Sequence, residues 1–112
     1  MSFFRLTTRA AAFAAVALIS FSAVHAAPAG PVVTIDNFTF DPMTVTVPAG
    51  GTVTWTNGDD VPHTVRAVDG AFHSKPIDTG ESFSFTFAAP GVYAYFCSIH
   101  PKMLGKVIVK PQ

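Results

Sequence analysis

The placement of proline and glycine constrains this chain more than any other feature of it. All nine prolines and all eight glycines lie beyond Ala26, and the longest interval free of both is ten residues, Val32 to Asp41. An ordinary α-helix takes about 11–12 residues, so little room is left for one. Within the intervals, hydroxyl and apolar residues alternate with period two, the pattern of a strand that buries one face. Thr44-Val45-Thr46-Val47 and Thr52-Val53-Thr54-Trp55-Thr56 read this way. Ser82-Phe83-Ser84-Phe85-Thr86-Phe87 puts three phenylalanines on one face and three hydroxyls on the other. Lys106-Val107-Ile108-Val109-Lys110 is a short apolar strand closed by charges. Turn signals separate them, among them Pro48-Ala49-Gly50-Gly51, Asn57-Gly58-Asp59-Asp60 and Ala89-Pro90-Gly91. Seven or eight short strands so spaced predict an all-β domain, an antiparallel sandwich or small barrel with Trp55, Phe83, Phe85 and Phe87 in its core.

The first 26 residues read differently. Arg5 and Arg9 precede an apolar run from Ala10 to Val24, and Val24-His25-Ala26 suits cleavage after Ala26. The run is short of the ~20 residues that span a bilayer, so residues 1–26 are expected to be a cleaved secretory signal. Leu6-Thr7-Thr8 separates the arginines, so there is no twin-arginine pair. What remains, residues 27–112, is one domain of 86 residues with five basic and seven acidic side chains, a net charge of −2. No run of Lys or Arg offers a footprint for nucleic acid, and no stable membrane association is expected. Cys97 is the only cysteine, so an intrachain disulfide is excluded. A domain this small buries only roughly 60–65% of its unfolded surface. Small exported domains are commonly reinforced by disulfides or a metal, which directs attention to metal ligands.

The segment from Tyr93 to Met103 supplies them: a thiolate at Cys97, an imidazole at His100 and a thioether at Met103. A straight strand would spread residues three apart by ~10 Å, whereas a loop after Cys97 can turn them towards one centre. His63 lies 34 residues upstream of Cys97, behind Val61-Pro62, and is expected to open a strand from His63 to Val68. Taken singly, Cys97 reads as a small buried hydrophobe, His63 as an exposed loop residue and Met103 as core. Taken together they are a distinctive donor set. Structural zinc prefers several thiolates and gains little from a thioether, and hard cations want oxygen. Two imidazoles and a thiolate with a long axial Met suit copper in electron transfer. Cys97 and His100 could also form a nucleophile and base, but 86 residues of sandwich offer no evident substrate pocket. No His-x-His pair is present for a second copper centre, so the chain is not expected to be an enzyme. His73 reads as solvated, Asp59 and Asp60 as a solvated acidic turn. Phe96, of opposite parity to Cys97, is expected to face away from the metal.

These residues, with Phe38-Thr39-Phe40-Asp41-Pro42, Gly51-Thr52-Val53-Thr54-Trp55, Pro62-His63 and Gly91-Val92-Tyr93-Ala94-Tyr95, resemble the cupredoxins, the type 1 or blue copper proteins, through nearly all of residues 27–112. The resemblance implies a Greek-key β-sandwich of about eight strands holding one copper ion that alternates between Cu(I) and Cu(II). It implies His63, Cys97 and His100 as equatorial ligands and Met103 as the axial one. It also implies a soluble periplasmic monomer that carries single electrons between redox proteins such as a c-type cytochrome or a periplasmic dehydrogenase. The alternative is a copper-homeostasis protein, chaperone or store, built on the same ligands. Two positions depart from the pattern: Thr64 follows the first His where members often carry Asn, and Ile99 stands where Pro is common. His100 is expected to be the electron port, within an apolar patch of Val61, Pro62, Pro101 and Leu104.

Overall fold

The computed structural model describes residues 10–20 and 30–112. Residues 10–20 are exposed and carry no regular secondary structure. The expected cleavage point after Ala26 and the rest of the leader lie outside the described residues. Among the described residues no helix is long and apolar enough to cross a membrane.

From Val32 onward the alternation becomes eight strands: β1 (Val32–Asp36), β2 (Thr39–Asp41), β3 (Thr44–Pro48), β4 (Gly51–Asn57), β5 (Arg66–Ala67), β6 (Ser82–Phe87), β7 (Gly91–Phe96) and β8 (Leu104–Lys110). They form two four-stranded sheets in the orders β2-β1-β4-β6 and β3-β8-β7-β5. The all-β sandwich expected from the sequence is therefore present. Its sheets are mixed rather than antiparallel, because β1 runs parallel to β4 and β3 parallel to β8. The cause is chain order: after the β1–β2 hairpin the chain enters the other sheet as β3 and returns as β4. That brings strands distant in sequence side by side in the same sense.

Period two assigns the two faces of each strand. Val33, Ile35, Val53, Trp55, Tyr95 and Val107 point between the sheets and are essentially inaccessible. Phe87 joins them, whereas Phe83 and Phe85, also expected in the core, are half-buried against it. On the outer side of the first sheet the hydroxyls of β6 meet those of β4. Thr52 pairs with Thr86, Thr54 with Ser84 and Thr56 with Ser82, each at 2.8 Å. Such cross-strand pairs help fix register.

Charge is divided between the layers. The strands of the first sheet contain Asp36 and Asp41 and no Lys or Arg. Those of the second contain Arg66, Lys106 and Lys110 and no acidic residue.

The strand expected from His63 to Val68 shrinks to Arg66–Ala67, with an isolated bridge between His63 and Ile77. The reason lies in where its backbone donors go. The Thr64 N–H donates to Cys97 Sγ and the Val65 N–H to Ser74 Oγ. Side chains have taken the places of a neighbouring strand.

Candidate metal centre

The four sequence-predicted residues lie where the β4–β5 connection approaches the β7–β8 loop. Cys97 directly follows β7 and Met103 directly precedes β8. Phe96 and Leu104 are the last cross-strand pair of this hairpin. Beyond it the Cys97 N–H donates to the Met103 carbonyl at 3.2 Å, and the Met103 N–H to the His100 carbonyl at 2.9 Å. These two bonds curl the loop so that residues 97, 100 and 103 share one end of the sandwich. Cys97 is fully buried and Met103 nearly so, while His100 is half-buried.

His63 arrives from the other connection. Its N–H and carbonyl are both bonded to Ile77, at 3.2 and 2.7 Å. Its ring is fully buried, with Nδ1 3.8 Å from Cys97 Sγ and the ring centroid 5.2 Å from that of His100. Two remote stretches of chain thus meet. Among the described residues, no three His, Cys, Asp or Glu side chains are gathered as closely as a bound ion would hold them.

Two corrections to the sequence reading concern the surroundings. Asp59 is buried, whereas Asp60 beside it is exposed as expected. The Asp59 carboxylate accepts from the N–H groups of Asn37 and Phe38, at 2.6 and 2.9 Å, and lies 2.8 Å from His63 Nε2. A carboxylate only accepts, so Nε2 carries the ring hydrogen and Nδ1 presents its lone pair towards Cys97. Burial pushes the Asp59 carboxyl up. The hydrogen bonds from Phe38, His63 and Asn37 outweigh it and hold the group below the usual carboxylate range.

The second correction concerns Phe38, which the sequence did not single out for the site. Its ring stands edge-on to both imidazoles, 5.4 Å from His63 and 5.0 Å from His100. The apolar rim of His100 therefore consists of Phe38, Ile99 and Pro101, with Lys102 and Met103 completing a shallow depression. Of the four residues expected in the patch, Leu104, Pro62 and Pro101 are exposed and Val61 is half-buried. Phe96 is half-buried beneath the Arg66 guanidinium, 5.9 Å from its ring, while Cys97 points inward. His73 is exposed on the β5–β6 connection.

Around Cys97 the electrostatics favour an anion. Burial pushes the thiol up, but the N–H groups of Thr64, His100 and Ile99 hold it below its ordinary value. A cysteine sulfur, two imidazoles and a thioether are soft and borderline donors. Their chemistry fits copper better than zinc or an oxygen-loving cation.

Known proteins agree with this architecture. The chain matches the cupredoxin-like domain family over residues 9–109. It is 39% identical over 105 residues to amicyanin-alpha of Methylorubrum extorquens, covering 88% of each chain. To the chloroplastic plastocyanin of Tetradesmus obliquus it is 40% identical over 84 residues, which is 63% of this chain and 58% of that one. Among solved structures, a purple cupredoxin from Nitrosopumilus maritimus superposes with a TM-score of 0.67 at 37% identity, over 71% of this chain and 99% of that one. A reduced Cu(I) form of an amicyanin point mutant at pH 4 superposes with a TM-score of 0.71 at 33% identity, over 80% and 90%. By sequence and by fold together, the chain belongs to the cupredoxin-like family.

Proposed function

We propose that this protein is a small type 1 copper protein that carries single electrons between periplasmic redox proteins, after export and removal of residues 1–26. His63 Nδ1, Cys97 Sγ, the His100 imidazole and the Met103 thioether would hold the copper. Copper held there would supply a one-electron couple between Cu(II) and Cu(I).

The observation that carries the reading is the approach of His63 Nδ1 to a fully buried Cys97 Sγ, 3.8 Å away, from 34 residues upstream. The rest of the arrangement serves a carrier. Asp59 fixes the His63 ring and its tautomer, as outer hydrogen bonds to ligating histidines commonly do. Backbone N–H groups around Cys97 balance a thiolate. Ligands held by strand ends and hydrogen bonds resist rearrangement, which keeps the cost of changing oxidation state low. His100, half-buried in its apolar rim, offers the route to the outside, and a small apolar surface suits brief docking of a redox partner.

The test is to add Cu(II) to the purified apoprotein and record visible and spin-resonance spectra. An intense thiolate-to-copper band, absent in Cys97→Ser, is expected, and a wild-type protein without such a band would overturn the reading. Repeated redox cycling separates the carrier from a copper chaperone or store. A carrier retains its metal in both states, whereas a chaperone surrenders Cu(I) to a thiol acceptor.

A further inference from the structure

We propose that the Thr64 hydroxyl donates a hydrogen bond to the Cys97 sulfur, is oriented to do so by Ser98, and thereby raises the reduction potential of the site. This inference rests on the copper reading above. Thr64 is buried, and its Oγ1 has three polar neighbours: the Ser98 N–H at 2.7 Å, Ser98 Oγ at 2.6 Å and Cys97 Sγ at 3.8 Å. Its own N–H already donates to the same sulfur at 3.3 Å.

Counting hydrogens decides the directions. A hydroxyl has one hydrogen to give and two lone pairs to accept with. The Ser98 N–H can only donate, so it occupies one lone pair of Thr64 Oγ1. The single Thr64 hydrogen must then go to Ser98 Oγ or to Cys97 Sγ. Ser98 is exposed, and water can satisfy its oxygen, whereas Cys97 is fully buried and has no such recourse. A buried anion gains more from one further donor than a hydrated hydroxyl does, because hydrogen bonds to charged acceptors are the stronger ones. The arrangement that satisfies every group runs from Ser98 Oγ–H to Thr64 Oγ1 and from Thr64 Oγ1–H to Cys97 Sγ.

The consequence is electronic. A ligating sulfur carries more negative charge when its metal is reduced, so a donor aimed at it favours the reduced state, and hydrogen bonding around such a sulfur tunes potential. Thr64 is thus a positioning residue that acts through Cys97, and Ser98 a second that acts through Thr64.

The experiment compares copper-loaded wild type, Thr64→Val, Thr64→Ser and Ser98→Ala. It reads the reduction potential and the shift of the copper–sulfur stretching frequencies on exchange from H2O into D2O, by resonance Raman. Thr64→Val should lower the potential and shrink the isotope shift, leaving only the backbone N–H contribution. Thr64→Ser should retain both. Ser98→Ala should lower the potential by less, because Thr64 loses one of the donors that orient it. An unchanged or raised potential in Thr64→Val, or an isotope shift that does not shrink, overturns the proposal. So does a potential in Ser98→Ala at or above wild type, which would mean that Ser98 takes the Thr64 hydrogen; this arm decides even if Thr64→Val does not fold. A wild-type protein without a thiolate-to-copper band is a separate failure, that of the copper reading itself, and is seen before any variant is made.

Discussion

The Asp59 carboxylate joins three things that the sequence keeps apart: the His63 ring, the Asn37 N–H and the Phe38 N–H. Asn37 and Phe38 are the two central residues of the β1–β2 hairpin, with φ of 50° and 56°. Such two-residue turns suit Gly or Asn, and a phenylalanine there is uncommon, so the carboxylate holds Phe38 in an unfavourable conformation over both imidazoles. Asp59→Asn replaces an anionic acceptor of three hydrogen bonds by an amide that turns donors towards donors. A loss of about 1.5–3 kcal/mol is expected from the weight of hydrogen bonds to charged groups, read from urea unfolding midpoints. The folded-state pKa of Asp59 is depressed, so its contribution is complete above the unfolded value near 3.8 and lost as pH falls through the folded value. Wild type should therefore lose stability below about pH 4 more steeply than Asp59→Asn. Three of the four proposed ligands, Cys97, His100 and Met103, were legible as candidates because they are close in sequence and chemically distinctive, whereas His63, 34 residues upstream of Cys97, was legible only as the histidine that could complete their set. Asp59 was not: its partners Asn37 and Phe38 lie more than twenty residues away, and no periodicity announces a reversal of that kind.

Among the elements, β6 was the most legible, since its alternation coincides with Ser82–Phe87 in the structure. The least legible was β5, whose neighbouring N–H groups bond to side chains and so leave no strand pattern to read. The parallel pairings were equally hidden, because alternation states which face a residue takes and not which strand lies beside it. Gly105 shows another limit. It faces Tyr95 across the β7–β8 ladder, and a Cβ there would fall inside the Tyr95 ring. Gly105→Ala is expected to cost about 1–3 kcal/mol through overpacking, measured by thermal or urea unfolding. The same ring packs edge-on against Trp55 at 5.4 Å, and among the described residues neither the Tyr95 hydroxyl nor Trp55 Nε1 has a well-formed hydrogen bond. Burial accordingly pushes the Tyr95 hydroxyl up to about 12. Tyr95→Phe removes an unsatisfied buried group at nearly constant shape, so the same measurement should find it neutral or mildly stabilising.

At the scale of the whole molecule, the all-β class and the strand count followed from proline and glycine spacing, whereas the division of charge between the sheets appeared only once the strands were sorted into layers. Lys106 lies at the centre of the cationic layer, paired with Ala94 and Thr44. Lys106→Glu should slow oxidation of the reduced copper protein by hexacyanoferrate(III) and speed it by a cationic cobalt complex. Stopped-flow rates should show this at ~0.01 M salt and lose it towards ~1 M, where screening shortens the reach of charge to about 3 Å. Because the opposed strand charges sit on the broad flanks and the imidazole of His100 at an end, the dipole of the strand charges alone runs across the sandwich. Those charges by themselves would lay the molecule on its side on a uniformly charged electrode, so only the loop charges at the His100 end, Lys102 among them, can turn that end towards it.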